Sequence, residues 1–144
     1  MPGTLLDSHS LLWSINGLAI STKAKLAIGI AQDTHSLFLS PISAWEIGVA
    51  SGKNQIAHRP PLGGLPPDMW FRNALIQLHA QLAPFSLDIA SESARVPPLY
   101  GSGDPGDCFL LATAHVEGLT LITRDDRILK FARKNPHYLS VIAC

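Results

Sequence analysis

Short apolar runs alternating with helical patterns constrain this chain more than any other feature. Thr4-Leu5-Leu6, Leu37-Phe38-Leu39, Leu119-Thr120-Leu121-Ile122 and Tyr138-Leu139-Ser140-Val141-Ile142 have the length and residue types of strands. Leu82 to Leu87 reads as an edge strand, since Pro84 is poorly tolerated in a central one. Between them lie helical patterns. One begins at Leu11; one covers 22–32 behind Ser21, with Ala24, Leu26, Ala27, Ile30 and Ala31 facing inward. Another covers 42–50 after the Ser40-Pro41 break. A fourth runs from an Asp68 cap to about Ala80, with Met69, Phe71, Leu75 and Leu78 on its apolar side. The remaining three cover 88–96, stopped by Pro97-Pro98; a stretch from Asp104 to Gly118; and 127–134. Strands alternating with helices predict βαβ units, hence an α/β fold with a parallel sheet and helices on both faces.

With 144 residues, 47% of them hydrophobic, the chain reads as one domain, 1–144, with a sizeable core. Residues 51–67 hold four prolines and three glycines, a linker-like segment too short to divide two domains. Its apolar runs are too short to cross a bilayer, and the first residues lack the basic region of a signal peptide. Cys108 and Cys144 show no disulfide or metal spacing, which suits reduced thiols and a cytoplasmic location. The net charge of zero gives no overall pull on nucleic acid. Its distribution says more. Five acids face Arg95 alone over 88–118, a balance of −4, and five bases face Asp125 and Asp126 over 120–144, a balance of +3.

The acids stand at equivalent junctions. Asp7 follows the first strand directly, and Asp125 follows the fourth run through Thr123-Arg124. Glu46 lies in the helix after Leu37-Phe38-Leu39. Asp104 is a good N-cap and Pro105 fits the first helical position, which puts Asp107 in the first turn. A parallel sheet brings strand ends and helix starts to one edge, where ligands bind. Taken singly, each acid reads equally as a cap or a surface charge. Gathered, they require neutralisation: two carboxylates 5 Å apart repel by about 3 kcal/mol at an effective dielectric near 20. Oxygen-only ligands suit Mg²⁺ or Mn²⁺, and phosphodiester hydrolysis is the natural chemistry of such ions. Asp125 and Asp126 compete for the fourth place. Cys108 lacks a partner His and reads as a half-buried thiol. His9 reads as a polar residue at a helix start, with RNA or ligand contact as its functional alternative. Trp13, Trp45 and Trp70 offer surfaces on which bases could stack, and Trp13 and Trp45, on helical faces, read as core. Arg124 and Arg127 are candidates for phosphate contacts.

Four motifs resemble those of the PIN-domain ribonucleases, especially the VapC-type toxins of bacterial toxin–antitoxin pairs. Leu5-Leu6-Asp7-Ser8-His9-Ser10-Leu11-Leu12-Trp13 resembles their opening and Ser43-Ala44-Trp45-Glu46-Ile47-Gly48 their second motif. Asp104-Pro105-Gly106-Asp107 with Leu110-Leu111-Ala112-Thr113-Ala114 resembles the third, and Leu121-Ile122-Thr123-Arg124-Asp125 the fourth. They arrive in family order across nearly the whole chain. The resemblance implies a three-layer α/β/α sandwich and a Mg²⁺ site held by Asp7, Glu46, Asp107 and Asp125. It gives Asp104 a supporting role, and Thr123 the orientation of a metal-bound water. It further implies endoribonuclease activity on RNA, a homodimer and a cognate antitoxin. In the third motif the family often has a bulky residue at Gly106, a basic one at Cys108 and basic residues in place of Ser102 and Gly103. Losing those bases would thin RNA contacts and leave the acids intact. Alternative readings are a nuclease of the same fold in RNA processing or on structured DNA, and a non-catalytic interaction module.

Overall fold

A computed structural model describes residues 3–101 and 103–144. The start of the chain at Met1-Pro2, and Ser102 before the Asp-Pro pair, lie outside the described residues. Five parallel strands form one sheet: β1 (Thr4–Leu6), β2 (Leu37–Leu39), β3 (Gln81–Leu82), β4 (Thr120–Thr123) and β5 (Ser140–Ala143), in the order β3-β2-β1-β4-β5. Leu6 pairs with Leu39 on one side and Ile122 on the other, so the ends of β1, β2 and β4 lie level. From β1 the chain winds outward to β2 and β3, then crosses back to lay β4 against the other side of β1. That reversal is a topological switch point, where doubly wound sheets open a crevice.

Among the described residues, eight α-helices cover the two faces. One apolar core joins Leu6, Leu37, Leu39 and Ile122 to α1 (Ser8–Ile15), α2 (Thr22–Asp33), α3 (Pro41–Ser51) and α4 (Pro67–Gln77). The other joins Leu5 and Leu121 to α5 (Leu87–Ser93), α6 (Val96–Tyr100), α7 (Pro105–Glu117) and α8 (Asp126–Lys134). Successive strand residues point to opposite faces, so Leu5 and Leu6 feed different cores. The three-layer α/β/α sandwich is the observed architecture. Among the described residues no helix is long and apolar enough to cross a membrane.

Several local expectations give way to tertiary packing. Asp68 does not cap α4; Pro66 precedes the helix and Pro67 opens it, which leaves Asp68 in the first turn. The inner side of α4 is Trp70, Phe71 and Ala74, and Met69 is exposed. Along α2, Ala24, Ile28 and Ala31 are buried, and Leu26 is 65% exposed. The apolar residues of that helix span more than half of its circumference, so its neighbours decide which stripe is covered. The edge strand is only Gln81–Leu82; past Pro84 the chain turns to Ser86, whose side chain caps α5. Pro97-Pro98 does not simply stop a helix. It lies in the first turn of α6, where a missing N–H costs no intrahelical bond.

Candidate active site

Asp7 leaves β1 in an extended conformation and caps α1, its Oδ1 accepting from the Ser10 backbone N–H at 2.7 Å. Its other oxygen, Oδ2, accepts from Thr123 Oγ1 at 2.6 Å. Thr123 ends β4 and is fully buried. The same hydroxyl oxygen accepts the Asp125 backbone N–H at 3.1 Å, so one side chain ties together residues from adjoining strand ends. Asp125 in turn caps α8, with Oδ1 accepting from the N–H groups of Arg127 at 2.8 Å and Ile128 at 3.4 Å.

Glu46 arrives from the opposite side, one turn into α3. Its Oε1 accepts from Ser8 Oγ at 2.7 Å, and Ser8 Oγ lies 3.0 Å from Ser43 Oγ. Both serines are buried. Gly106 forms the floor beneath this carboxylate: a Cβ there would stand 2.5 Å from Glu46 Oε2, so no larger residue fits without moving Glu46. Burial raises the pKa of Glu46; the Ser8 hydrogen bond opposes that rise, and the charges of Asp107, Asp104 and Asp7 add to it.

Asp104 and Asp107 open α7. Asp104 Oδ1 accepts the Asp107 N–H at 3.2 Å, and Pro105 occupies the first helical position. The helix ends at Gly118, whose φ of +65° is left-handed backbone suited to glycine. Asp107 Oδ2 accepts from Tyr100 Oη at 3.2 Å. Burial, then the charges of Asp104 and Asp125, push the Asp107 carboxyl up to about 6, against the opposing pull of Tyr100 and Arg127. Burial first, then Asp107 and Asp104, also raise the Cys108 thiol. It is buried rather than half-buried, and the raised pKa keeps it protonated, a poor nucleophile.

The acids line one cavity of about 400 Å³ at the carboxyl edge of the sheet. Asp7, Glu46, Asp104, Asp107 and Asp125 all face it, against Arg124 and Arg127, five negative charges to two positive. Asp126, the first residue of α8, is exposed and outside the lining, so position favours Asp125 for the fourth acid. Arg127 lies over the Tyr100 ring at 5.5 Å. Arg124 is more tightly committed. Its guanidinium lies 4.0 Å over the Trp13 ring and donates to the carbonyls of Ala19 at 2.8 Å and Cys144 at 3.3 Å. His9, at the start of α1, is exposed and lines the cavity. Trp45 is not core: 53% of it is exposed.

The acids share a cavity without yet sharing a point. Among the described residues no three Asp, Glu, His or Cys side chains converge as the ready ligand set of one ion. Three contributors escaped the sequence reading. Ser8 and Ser43 flank Glu46 within motifs that draw the eye to their acids, although Ser43 precedes Glu46 by three positions, on the same helical face. Tyr100 lies past Pro97-Pro98, where the sequence marks the end of a helix and not the short helix α6 that carries Tyr100 to Asp107.

Comparison with known proteins agrees with this geometry. The PIN domain family model matches residues 4–134. A chain in the crystal structure of DNA-bound VapBC from Salmonella typhimurium superposes with a TM-score of 0.65 at 13% identity, over 99% of this chain and 98% of that one. A chain in VapBC2 from Rickettsia felis, bound to a DNA fragment from their promoter, superposes with a TM-score of 0.65 at 14% identity, over 98% of each. At such identities the likeness shows the fold. No curated protein sequence matches the chain. The family match spans most of the chain and every acid of the cavity, and on that ground the chain belongs to the PIN domain family.

Proposed function

We propose that this chain is a Mg²⁺- or Mn²⁺-dependent endoribonuclease, the toxin of a toxin–antitoxin pair. One observation carries the nuclease reading: five carboxylates and two guanidiniums around a single cavity at the switch point of the sheet. The donors are hard oxygens in charge excess, and burial first, then the charges of neighbouring carboxylates, raise the pKa values of Glu46 and Asp107. Such a set fits a hard divalent cation, and Mg²⁺ in particular keeps several waters and needs few direct carboxylates. Asp7, Glu46, Asp107 and Asp125 would hold the ion, which supplies an activated water and charge stabilisation on the phosphate. Thr123 orients Asp7 and positions Asp125 through its single hydroxyl. Ser8 aims Glu46, and Tyr100 steadies Asp107. Asp104 supports the site by capping α7. Arg127 faces the cavity, where a phosphate oxygen meets it; Arg124, held by Trp13 and two carbonyls, contributes a fixed positive charge.

The toxin reading rests on likeness to chains of VapBC complexes together with the PIN match. It brings a cognate antitoxin and a homodimer as partners. The test is cleavage of total cellular RNA with Mg²⁺, with EDTA, and with Asp7→Asn. Cleavage in the first arm alone is expected, a loss of a hundredfold or more in the others. Full cleavage in EDTA would refute the metal site. Cleavage of structured DNA but not RNA would favour a different nuclease of this fold.

A further inference from the structure

A second cavity, about 610 Å³, opens beside the acid site between α1, α3 and the segment after α3. Ser8, His9, Trp13, Glu46 and Asp104 line both, so the two form one continuous groove. Its far end is cationic, with Lys53, His58 and Arg59. Among the described residues the one ion pair is Arg95–Glu92, so neither Lys53 nor Arg59 has a carboxylate partner. Arg59 Nε donates to the backbone carbonyl of Lys53 at 2.7 Å, which holds the guanidinium near residue 53. The groove is also lined by Trp45, 53% exposed, and by Val49, four positions on along the same face of α3.

We propose that this groove seats an unpaired stretch of RNA substrate, one base stacked on Trp45 and the adjoining phosphates against Lys53 and Arg59. The proposal deepens the ribonuclease reading and rests on it. Charge order selects the occupant. An acidic peptide would suit Lys53 and Arg59 but meet Glu46 and Asp104 at the other end; a basic one meets the reverse conflict. A nucleotide chain offers phosphate to the cations and a flat apolar base to the indole, and a divalent ion offsets its charge at the acids. Aromatic stacking accepts any base and requires it to be unstacked, so the groove selects single strands over duplex. A cavity of this size lies within the range that buries small ligands.

The experiment measures anisotropy of a labelled mixed-sequence hexaribonucleotide and of its duplex with Mg²⁺ present, in an Asp7→Asn background that keeps the RNA whole. Trp45→Ala should weaken single-strand binding about tenfold, with Trp45→Phe restoring most of it and duplex binding unchanged. Lys53→Ala with Arg59→Ala should lower the salt slope by roughly 1.4, two phosphate contacts on a single strand. In the otherwise intact chain, Trp45→Ala should raise KM for RNA and leave kcat within about twofold. Parental hexamer affinity in these variants, with RNA cleavage intact, overturns the groove and spares the ribonuclease reading. Groove-dependent hexamer binding without any cleavage upholds the groove and sinks that reading. Variants that keep hexamer affinity but lose a bound protein partner also overturn the proposal, making the face a protein-docking surface.

Discussion

Thr123 carries more of the site than its size suggests. Its hydroxyl donates to Asp7 and accepts from Asp125, in a place with no access to water. Thr123→Val keeps the shape and deletes the bond; an orphaned buried acceptor costs about 1–3 kcal/mol. We expect kcat/KM to fall 10–100-fold, as for other groups that orient metal ligands, with Thr123→Ser restoring most of it. Steady-state kinetics with a thermal melt on each variant check this. Asp107 makes a pH prediction. Its carboxyl rises from the ordinary 3.8 to about 6 on folding, so across that interval the native state holds more proton than the unfolded chain. Stability of the metal-free protein therefore falls as pH rises from about 4 to about 6, and stays lower above. Asp107→Asn should flatten that fall, melting higher than the parent at pH 7 in EDTA and no higher at pH 4. A parent melt that rises from pH 4 to pH 7, with the variant following it, would contradict the assignment.

At the scale of one element, α7 shows two uses of the same kind of residue. Asp104 caps the helix, and its charge also raises the carboxyl of Asp107, three positions on. The effects separate by substitution. Asp104→Ala loses the cap and should cost about 1 kcal/mol. Asp104→Asn keeps a capping oxygen and removes the repulsion, so the metal-free protein should melt at or above the parental temperature. Denaturant titration of both variants distinguishes them, and equal destabilisation would mean that the negative charge both variants remove stabilises the helix start more than it strains Asp107. Gly106, one position before Asp107, lies against the carboxylate of Glu46, so a side chain there would displace the end of Glu46.

For the molecule as a whole, the strand order decides everything about the site. Laying β4 beside β1 brings Thr123 and Asp125 next to Asp7, across more than a hundred residues of chain. α3 and α7, from the two sides of the sheet, then add Glu46 and Asp107. Concentrated negative charge is a global destabilisation that a cation relieves. Mg²⁺ added at about a hundredfold over its Kd should stabilise the protein by about 2.7 kcal/mol at pH 7.5, with a smaller shift in Asp7→Asn. Scanning calorimetry against Mg²⁺ concentration reads this directly, and a melting temperature indifferent to Mg²⁺ and Mn²⁺ would deny the cavity its ion.

What the amino-acid order alone determined was local. The apolar runs of three to five residues, the Asp104-Pro105 start and Gly118 stop of α7, and the Ser21 cap of α2 were all legible, because each depends on neighbours in the chain. The motif order was also legible, and the four acids it singled out line the cavity together with Asp104. The tertiary structure alone decided which acid of the Asp125-Asp126 pair faces inward, that Trp45 borders a groove instead of filling a core, and that two serines, a threonine and Tyr100 hold the carboxylates. Helical and strand periodicities describe which residues share a face. What that face meets depends on strand order and on packing between segments far apart in sequence, where the energies that choose one partner over another arise.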